Sequence, residues 1–492
     1  MFFDLHAHPS LKSFLTNGKV NCWHYVNTGL LSDLASQCSL SQMNNGRVKI
    51  VVAALHPVER PFCAPHFLKT GLPYFSLLDG AFLRKMERKK ISYYALLKAE
   101  LAHMEQSENY NNQSFQFVNS FEDISDDKAN LVLSVEGGHA FIDTSSNNHN
   151  EICKDLLKNF REFKKLPHRL LFVTMTHLSQ GMLCTHSFGM KMLLMFRDKR
   201  FYPKGSGLTD CGKEFIREAL STQNGKRILI DIKHMSLRTR KEFYDMRKEE
   251  FPDVPIVASH MGIAGCSIYK IPIHSVIFKA KLFSFMKERQ KYKVKYYKLP
   301  GLFNTYFNPA MINLYDEEIT EIVESSGLIG VSMDKRILGY GGGAKDFYSF
   351  DEFNNYYKDF IEKHRLIKTR EKIDINKEDD FDEEEQYAIY DKGPLDPQHQ
   401  FKYVCNNIVH IVKVGGEKAW DCICLGSDFD GLIDGIDPVP NVASYYNLEK
   451  ALIDLLPEFI KEAGIPMPAD IEKTVKKIVY ENGYEFLRRN FK

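Results

Sequence analysis

The chain opens with Met1-Phe2-Phe3-Asp4-Leu5-His6-Ala7-His8. An apolar run this short, ending in two imidazoles one residue apart, reads as a buried β-strand. Side chains alternate faces along a strand, so His6 and His8 point the same way. Two neutral imidazoles on one face suit a divalent transition metal such as zinc. A frayed terminus carrying two ordinary histidines fits the octapeptide equally well, so the rest of the chain has to decide.

Seven more runs share the character of the first. They are Val48–Leu55, Leu131–Glu136, Leu170–His177, Arg227–His234, Pro255–His260, Gly327–Asp334 and Asp421–Asp428. All are apolar nearly throughout, as expected of parallel strands covered on both faces. Helical patterns lie between them, including Glu151–Lys165, Asp210–Thr222 with Asp210 as a plausible N-cap, and Asn313–Ser325. Eight strands alternating with helices predict a (β/α)8 barrel of the TIM type, an α/β fold. Almost every strand ends in a residue that binds metals or moves protons: His6 and His8, Glu136, His177, His234, His260, Asp428. In this barrel the chemistry sits at the C-terminal strand ends, so the coincidence points to one site.

The 492 residues carry 44% hydrophobic residues and a net charge of +1. That balance is ordinary for a globular protein and offers no global field for a polyanion, which argues against a nucleic-acid partner. No apolar run approaches the roughly 20 residues that span a membrane. The first residues carry Asp4, His6 and His8 with no basic-then-apolar leader, so the expectation is a cytoplasmic protein without membrane attachment. Ten cysteines show no framework spacing and read as reduced thiols; Cys422-x-Cys424 reads as part of a buried strand.

The whole of 1–492 reads as one barrel domain with insertions at about 265–300 and 340–400 and a C-terminal helical segment at 445–492. The first insertion, Lys270–Lys298, is basic, with Phe278, Phe283, Phe285, Tyr292, Tyr296 and Tyr297 interleaved; it reads as a solvated helical insertion, with nucleic-acid binding as the rival. The second holds the acidic run Glu378–Glu385, which reads as exposed or disordered. Both follow strand ends, so they are expected on the active-site face, pairing by opposite charge as a lid or as a homodimer contact.

Six side chains make a two-metal set. His6, His8 and one oxygen of Glu136 hold the first ion; the other oxygen of Glu136, with His234 and His260, holds the second. Two ions sharing a water generate a hydroxide near neutral pH. Asp428, itself also a candidate ligand, takes the proton and passes it to the leaving group. His177 is left to donate to the oxyanion.

The motifs also resemble the membrane dipeptidase (renal dipeptidase) family, peptidases of the amidohydrolase superfamily. The matching stretches are Ser134-Val135-Glu136-Gly137-Gly138-His139-Ala140, Thr174-Met175-Thr176-His177, Gly207-Leu208-Thr209, Ile230-Asp231-Ile232-Lys233-His234-Met235-Ser236, Ser259-His260, Gly426-Ser427-Asp428-Phe429-Asp430-Gly431 and Glu481–Arg488. The resemblance implies a zinc hydrolase with a binuclear site, Glu136 as the bridge, His234 and His260 as ligands, Asp428 as acid/base and His177 as a substrate-binding histidine. Three departures stand out. The family's His-x-Asp is His6-Ala7-His8 here. The arginine that holds the substrate carboxylate is missing from Ile268-Tyr269-Lys270-Ile271, where Lys270 is the available point charge. The two insertions also fall where specificity would be set. The expected activity is hydrolysis of a dipeptide or related small amide. A lactone, cyclic amide or phosphoester substrate is the alternative within enzymes, and a metal-stabilised binding protein without turnover the alternative outside them.

Overall fold

In this computed structural model, the described residues are 1–26, 35–64, 78–111, 113–189, 193, 198–279, 291–340, 345–357 and 396–492. Eight parallel strands close on themselves: β1 (Phe2–Ala7), β2 (Val48–Leu55), β3 (Ala129–Glu136), β4 (Leu170–Thr174), β5 (Leu229–Asp231), β6 (Val257–Met261), β7 (Leu328–Val331) and β8 (Ile423–Leu425). Each pairs with its neighbour in chain order, and β1 pairs with β8 at Asp4↔Leu425 to shut the ring. The strands are buried on both faces, which is why they read as continuous apolar runs rather than alternating ones. The first strand carries Asp4 into the barrel floor. Its carboxylate accepts from the Ser427 amide at 2.9 Å and the Ser427 hydroxyl at 2.6 Å, and from the Tyr445 hydroxyl, so β1 and β8 are tied directly beneath the residues that follow them. The interior is tight there: a Cβ on Gly330 or Gly426 would come within 1.9 Å of the Ser259 carbonyl, so only glycine lets β6, β7 and β8 approach this closely.

Helices cover the outside in the expected alternation: α1 (Leu40–Asn45), α2 (Tyr93–Glu105), α3 (His149–Phe163), α4 (Asp210–Leu220), α5 (Leu237–Glu250), α6 (Asp316–Glu324), α7 (His399–Gly415) and α8 (Tyr445–Ala463). The architecture is thus the (β/α)8 barrel that the sequence predicts. The N-cap of α4 is Thr209 rather than Asp210: its hydroxyl accepts from the Gly212 amide at 2.9 Å, and Asp210 is the first helical residue. Beyond α8, the C-terminal helical segment continues in three pieces, Ile471–Lys476, a π-helical turn at Lys477–Glu481, and Asn482–Asn490.

The cysteine expectation fails at one pair. Cys153 on α3 and Cys211 on α4 form a disulfide, with Cα atoms 5.9 Å apart. The two helices are neighbours around the barrel, but 58 residues separate the cysteines in sequence, so spacing alone gives no sign of the pairing. The other eight are free thiols, mostly buried.

The basic insertion is not helical where it is described. Ile273–Lys279 and Lys291–Tyr296 run antiparallel, and Lys345–Ser349 adds a third strand. Lys291-Tyr292-Lys293-Val294-Lys295-Tyr296 alternates with period two, burying Val294 and Tyr296 while the lysines are only half-buried, Lys291 lying over the Tyr202 ring. The lysines made the stretch read as solvated; the alternation is the signal that decides. The two insertions therefore meet through a backbone ladder. Residues 378–385, Phe283, Phe285 and Glu288 lie outside the described residues. The small sheet packs into a second apolar cluster with Leu11, Phe62, Leu178 and Phe347, built from loops that follow the barrel strands. Glu352, just past the third strand, accepts a hydrogen bond from the Ser236 hydroxyl, two residues beyond His234. The insertions thus reach the strand ends.

Candidate metal and catalytic site

Glu136 ends β3 with its carboxylate 2% exposed at the centre of the C-terminal rim. Its Oε1 lies 3.4 Å from His6 Nε2, 3.2 Å from His234 Nε2 and 3.7 Å from His260 Nε2. Its Oε2 lies 3.5 Å from His8 Nε2 and 3.6 Å from His177 Nε2. Asp428 stands opposite, with Oδ1 3.4 Å from His8 Nε2 and Oδ2 3.9 Å from His260 Nε2. The structure therefore brings together His6, His8, Glu136, His177, His234, His260 and Asp428. Lys270 is exposed in the loop after β6 and is not among the side chains that meet here.

Local backbone places these groups. His6 and His8 share a strand face as the octapeptide implies. His234 and Asp428 both hold the left-handed conformation, at φ 66° and 64°, although neither is glycine. Such backbone costs about 1–3 kcal/mol and persists only where neighbours impose it. For His234 they are identifiable. The Ser187 amide donates to its carbonyl at 2.7 Å, and Arg240 on α5 donates to the next carbonyl, Met235, at 3.0 Å.

Hydrogen bonds also fix one tautomer. Asp231, at the end of β5, accepts from the Thr174 hydroxyl at 2.8 Å and the Ser259 hydroxyl at 2.6 Å. With its proton committed, the Ser259 oxygen can only accept from His260 Nδ1, 2.8 Å away. The lone pair of His260 is then on Nε2, facing Glu136. The Nδ1 atoms of His6, His8 and His234 have no hydrogen-bond partner among the described residues, so their rings also turn Nε2 inward.

The arrangement fits metal cations. His6 and His8 approach at Nε2–Nε2 3.1 Å, and His234 and His260 at 3.3 Å. Two imidazoles bound at 2.0–2.1 Å to one tetrahedral ion stand about 3.3 Å apart, so each pair already has the spacing of ligands on a shared ion. The ligand atoms of His6, His8 and Asp428, and those of His6, Glu136 and His260, each lie within 4.8 Å of one another. Burial holds His8, His234 and His260 well below the usual imidazole range, which keeps them neutral and ready to donate lone pairs. Burial also pushes Asp428 up to about 7, against the pull of His6. Asp428 and His177 are more open than the other members, with side chains 16% and 11% exposed.

Sequence reasoning missed three members of the neighbourhood. His56 directly follows β2, its Nδ1 3.3 Å from Glu136 Oε2, and Glu59 lies between His56 and His177. The strand-end rule that found the other histidines would have found His56, since it comes one residue after the run Val48–Leu55. Lys233, buried beside His234, has no hydrogen-bond partner for its ammonium among the described residues; burial lowers it to about 8. A cavity of about 230 Å³ lined by Asn119, Leu166, Arg169 and Lys226 opens at the opposite end of the barrel and holds none of these groups.

Comparison with known proteins agrees with the geometry. The model of the membrane dipeptidase family (peptidase family M19) matches residues 305–458, a segment that carries β7, α7, β8 and Asp428. No curated protein matches the chain. Among solved structures, a metallopeptidase from Rhodobacter sphaeroides bound to a phosphinate mimic of the dipeptide L-Ala-D-Ala is 15% identical, with TM-score 0.52 and 99% of each chain covered. The metallopeptidase dipeptidase AC is 15% identical, with TM-score 0.50, covering 100% of this chain and 98% of that one. The probable dipeptidase PvdM from Pseudomonas aeruginosa is 16% identical, with TM-score 0.50, covering 92% and 88%. These likenesses show the shared barrel. Over residues 305–458, which carry the last two barrel strands, the chain is similar to the membrane dipeptidase family.

Proposed function

We propose that the chain is a metal-dependent hydrolase that cleaves dipeptides or related small amides, with two divalent ions, zinc being the best fit to the donor set. The observation that carries this reading is the convergence of four inward-facing Nε2 atoms on one buried carboxylate, with Asp428 opposite. The family match supports amide hydrolysis, and the dipeptide mimic in the Rhodobacter sphaeroides structure supports the substrate class.

His6 and His8 would hold one ion and His234 and His260 its neighbour, with Glu136 within reach of both pairs. When bound, the ions lower the pKa of a shared water and polarise the scissile carbonyl. Asp428 takes the proton from the attacking water and returns it to the leaving amine, a task suited to a carboxylate that faces the ring of imidazoles and is partly open to the substrate. His177 turns Nε2 into the site and, carrying a proton on both ring nitrogens, donates to the oxygen that gains charge. Burial of the ring of ligands excludes bulk water, so each of these contacts acts in a low dielectric.

A panel of dipeptides, lactones and phosphodiesters assayed with the metal-loaded protein tests the reading. Turnover confined to dipeptides and small amides is expected. Turnover of lactones or phosphodiesters alone, or a fully metallated protein inactive on the whole panel, would overturn it.

A further inference from the structure

The six-residue scheme leaves out the group that holds the imidazole facing the substrate. Glu59 lies on the loop after β2, with its carboxylate 1% exposed. Its Oε1 accepts from His177 Nδ1 at 2.8 Å, from the Leu178 amide at 3.2 Å and from the Ser179 hydroxyl at 3.4 Å. Its Oε2 lies 3.2 Å from His56 Nε2 as a charge contact without hydrogen-bond geometry. The far nitrogen of each ring then turns to the same face of Glu136. His177 Nε2 is 3.6 Å and His56 Nδ1 3.3 Å from Oε2, and His56 Nδ1 is also 3.1 Å from the Glu136 carbonyl. We propose that Glu59 is a positioning residue: its carboxylate holds His177 through Nδ1 and the backbone beside it, with Nε2 of His177 directed at the reacting carbonyl.

This inference rests on the role of His177 proposed above. An ionised carboxylate only accepts, so His177 presents Nδ1–H to Glu59, and its donation from Nε2 then needs the imidazolium form, whose charge the Glu59 carboxylate balances. A flip of the His177 ring would put carbon where Nδ1 stands and remove the shortest hydrogen bond that Glu59 makes, a penalty that keeps the ring in one orientation. The Leu178 and Ser179 contacts tie Glu59 to the β4 loop itself, so ring and backbone are held by the same group. Phe62 packs beside His177, with ring centroids 6.3 Å apart. Displacing a substrate-facing group by about 1 Å costs on the order of 100-fold in rate, and loss of an orienting partner costs about 10- to 100-fold.

The test uses the full-length, metal-loaded protein labelled with ¹⁵N in histidine. In the wild type, the His177 Nδ1 proton should give a downfield, slowly exchanging signal, and Glu59→Gln should lose it while retaining its metal. On a dipeptide the wild type turns over, Glu59→Gln should lower kcat about 10- to 100-fold with KM hardly moved. In a His177→Ala background the same substitution should have no further effect on kcat. An unchanged His177 signal in Glu59→Gln, or an equal fall in kcat with and without His177, would overturn the proposal. A wild type inactive on every substrate would sink the dipeptidase reading alone, since the ring signal would still decide the role of Glu59.

Discussion

Arg240→Met probes how the outer helices hold the site. The Arg240 guanidinium is fully buried and paired with Glu318 through Nε–Oε1 at 2.6 Å and Nη2–Oε2 at 2.8 Å. It also donates to the carbonyls of Met235 at 3.0 Å, Met311 at 2.8 Å and Asn313 at 3.1 Å. It thereby clasps the turn after His234 to the stretch leading into α6. Methionine fills much of the volume but leaves Glu318 buried without its cation. Breaking a buried pair in this way costs about 3–5 kcal/mol, whereas replacing both partners with apolar groups is often near neutral. Arg240→Met combined with Glu318→Leu should therefore recover at least half of the loss, although the Tyr244 hydroxyl then loses its acceptor. For a chain of this length, each kcal/mol moves Tm by roughly 1 °C, so the single variant should melt about 3–5 °C lower. Thermal unfolding of the metal-free protein measures the stability term, and metal titration measures the hold on His234. A single variant as stable as wild type, or a double variant no better than the single one, would refute the reasoning.

Asp428→Asn should keep the fold and the bound metal while turnover falls about 10²- to 10⁴-fold; steady-state kinetics on a dipeptide together with elemental analysis check it. Burial raises Asp346 to about 7 and Glu352 to about 8, in the segment that fastens the insertion sheet. A carboxyl raised in the folded state contributes stability that is present below its unfolded pKa and lost as pH rises through the folded value. Proteolytic cleavage around 345–357 should therefore quicken between about pH 4.5 and pH 8, and Asp346→Asn should flatten that dependence. Peptide mapping without reductant should recover Cys153 and Cys211 in one linked species, and Cys153→Ser should cost about 2–4 kcal/mol in denaturant unfolding.

Much of the barrel is legible because strands covered on both faces must be apolar throughout, and because each ends at the rim where polar groups gather. Phe2–Ala7 and Val48–Leu55 show this in single runs. The site follows from the same rule: Glu136, His234 and His260 are distant in sequence and meet because their strands are neighbours in the ring. What stays hidden depends on contacts between loops. Glu59 is an ordinary acid in sequence, and its place between two imidazoles comes from where the β2 and β4 loops meet. The Cys153–Cys211 pair depends on α3 lying against α4. The insertion strands were masked by their lysines, because charge dominates the eye where alternation carries the structure. The left-handed backbone at His234 and Asp428 has only a weak signature in residue type, histidine and aspartate being enriched there, and the bonds that hold it come from elsewhere in the chain: Ser187 and Arg240 at the first, and the His6 carbonyl accepting from the Asp428 amide at the second.

The most direct test of the account is the metal content of the purified, dialysed protein beside that of Glu136→Gln, both by elemental analysis. The account predicts about two equivalents of divalent ion in the wild type, and loss of at least one when the shared carboxylate becomes an amide. A wild type that retains no metal, or a variant that keeps the full complement, would contradict it.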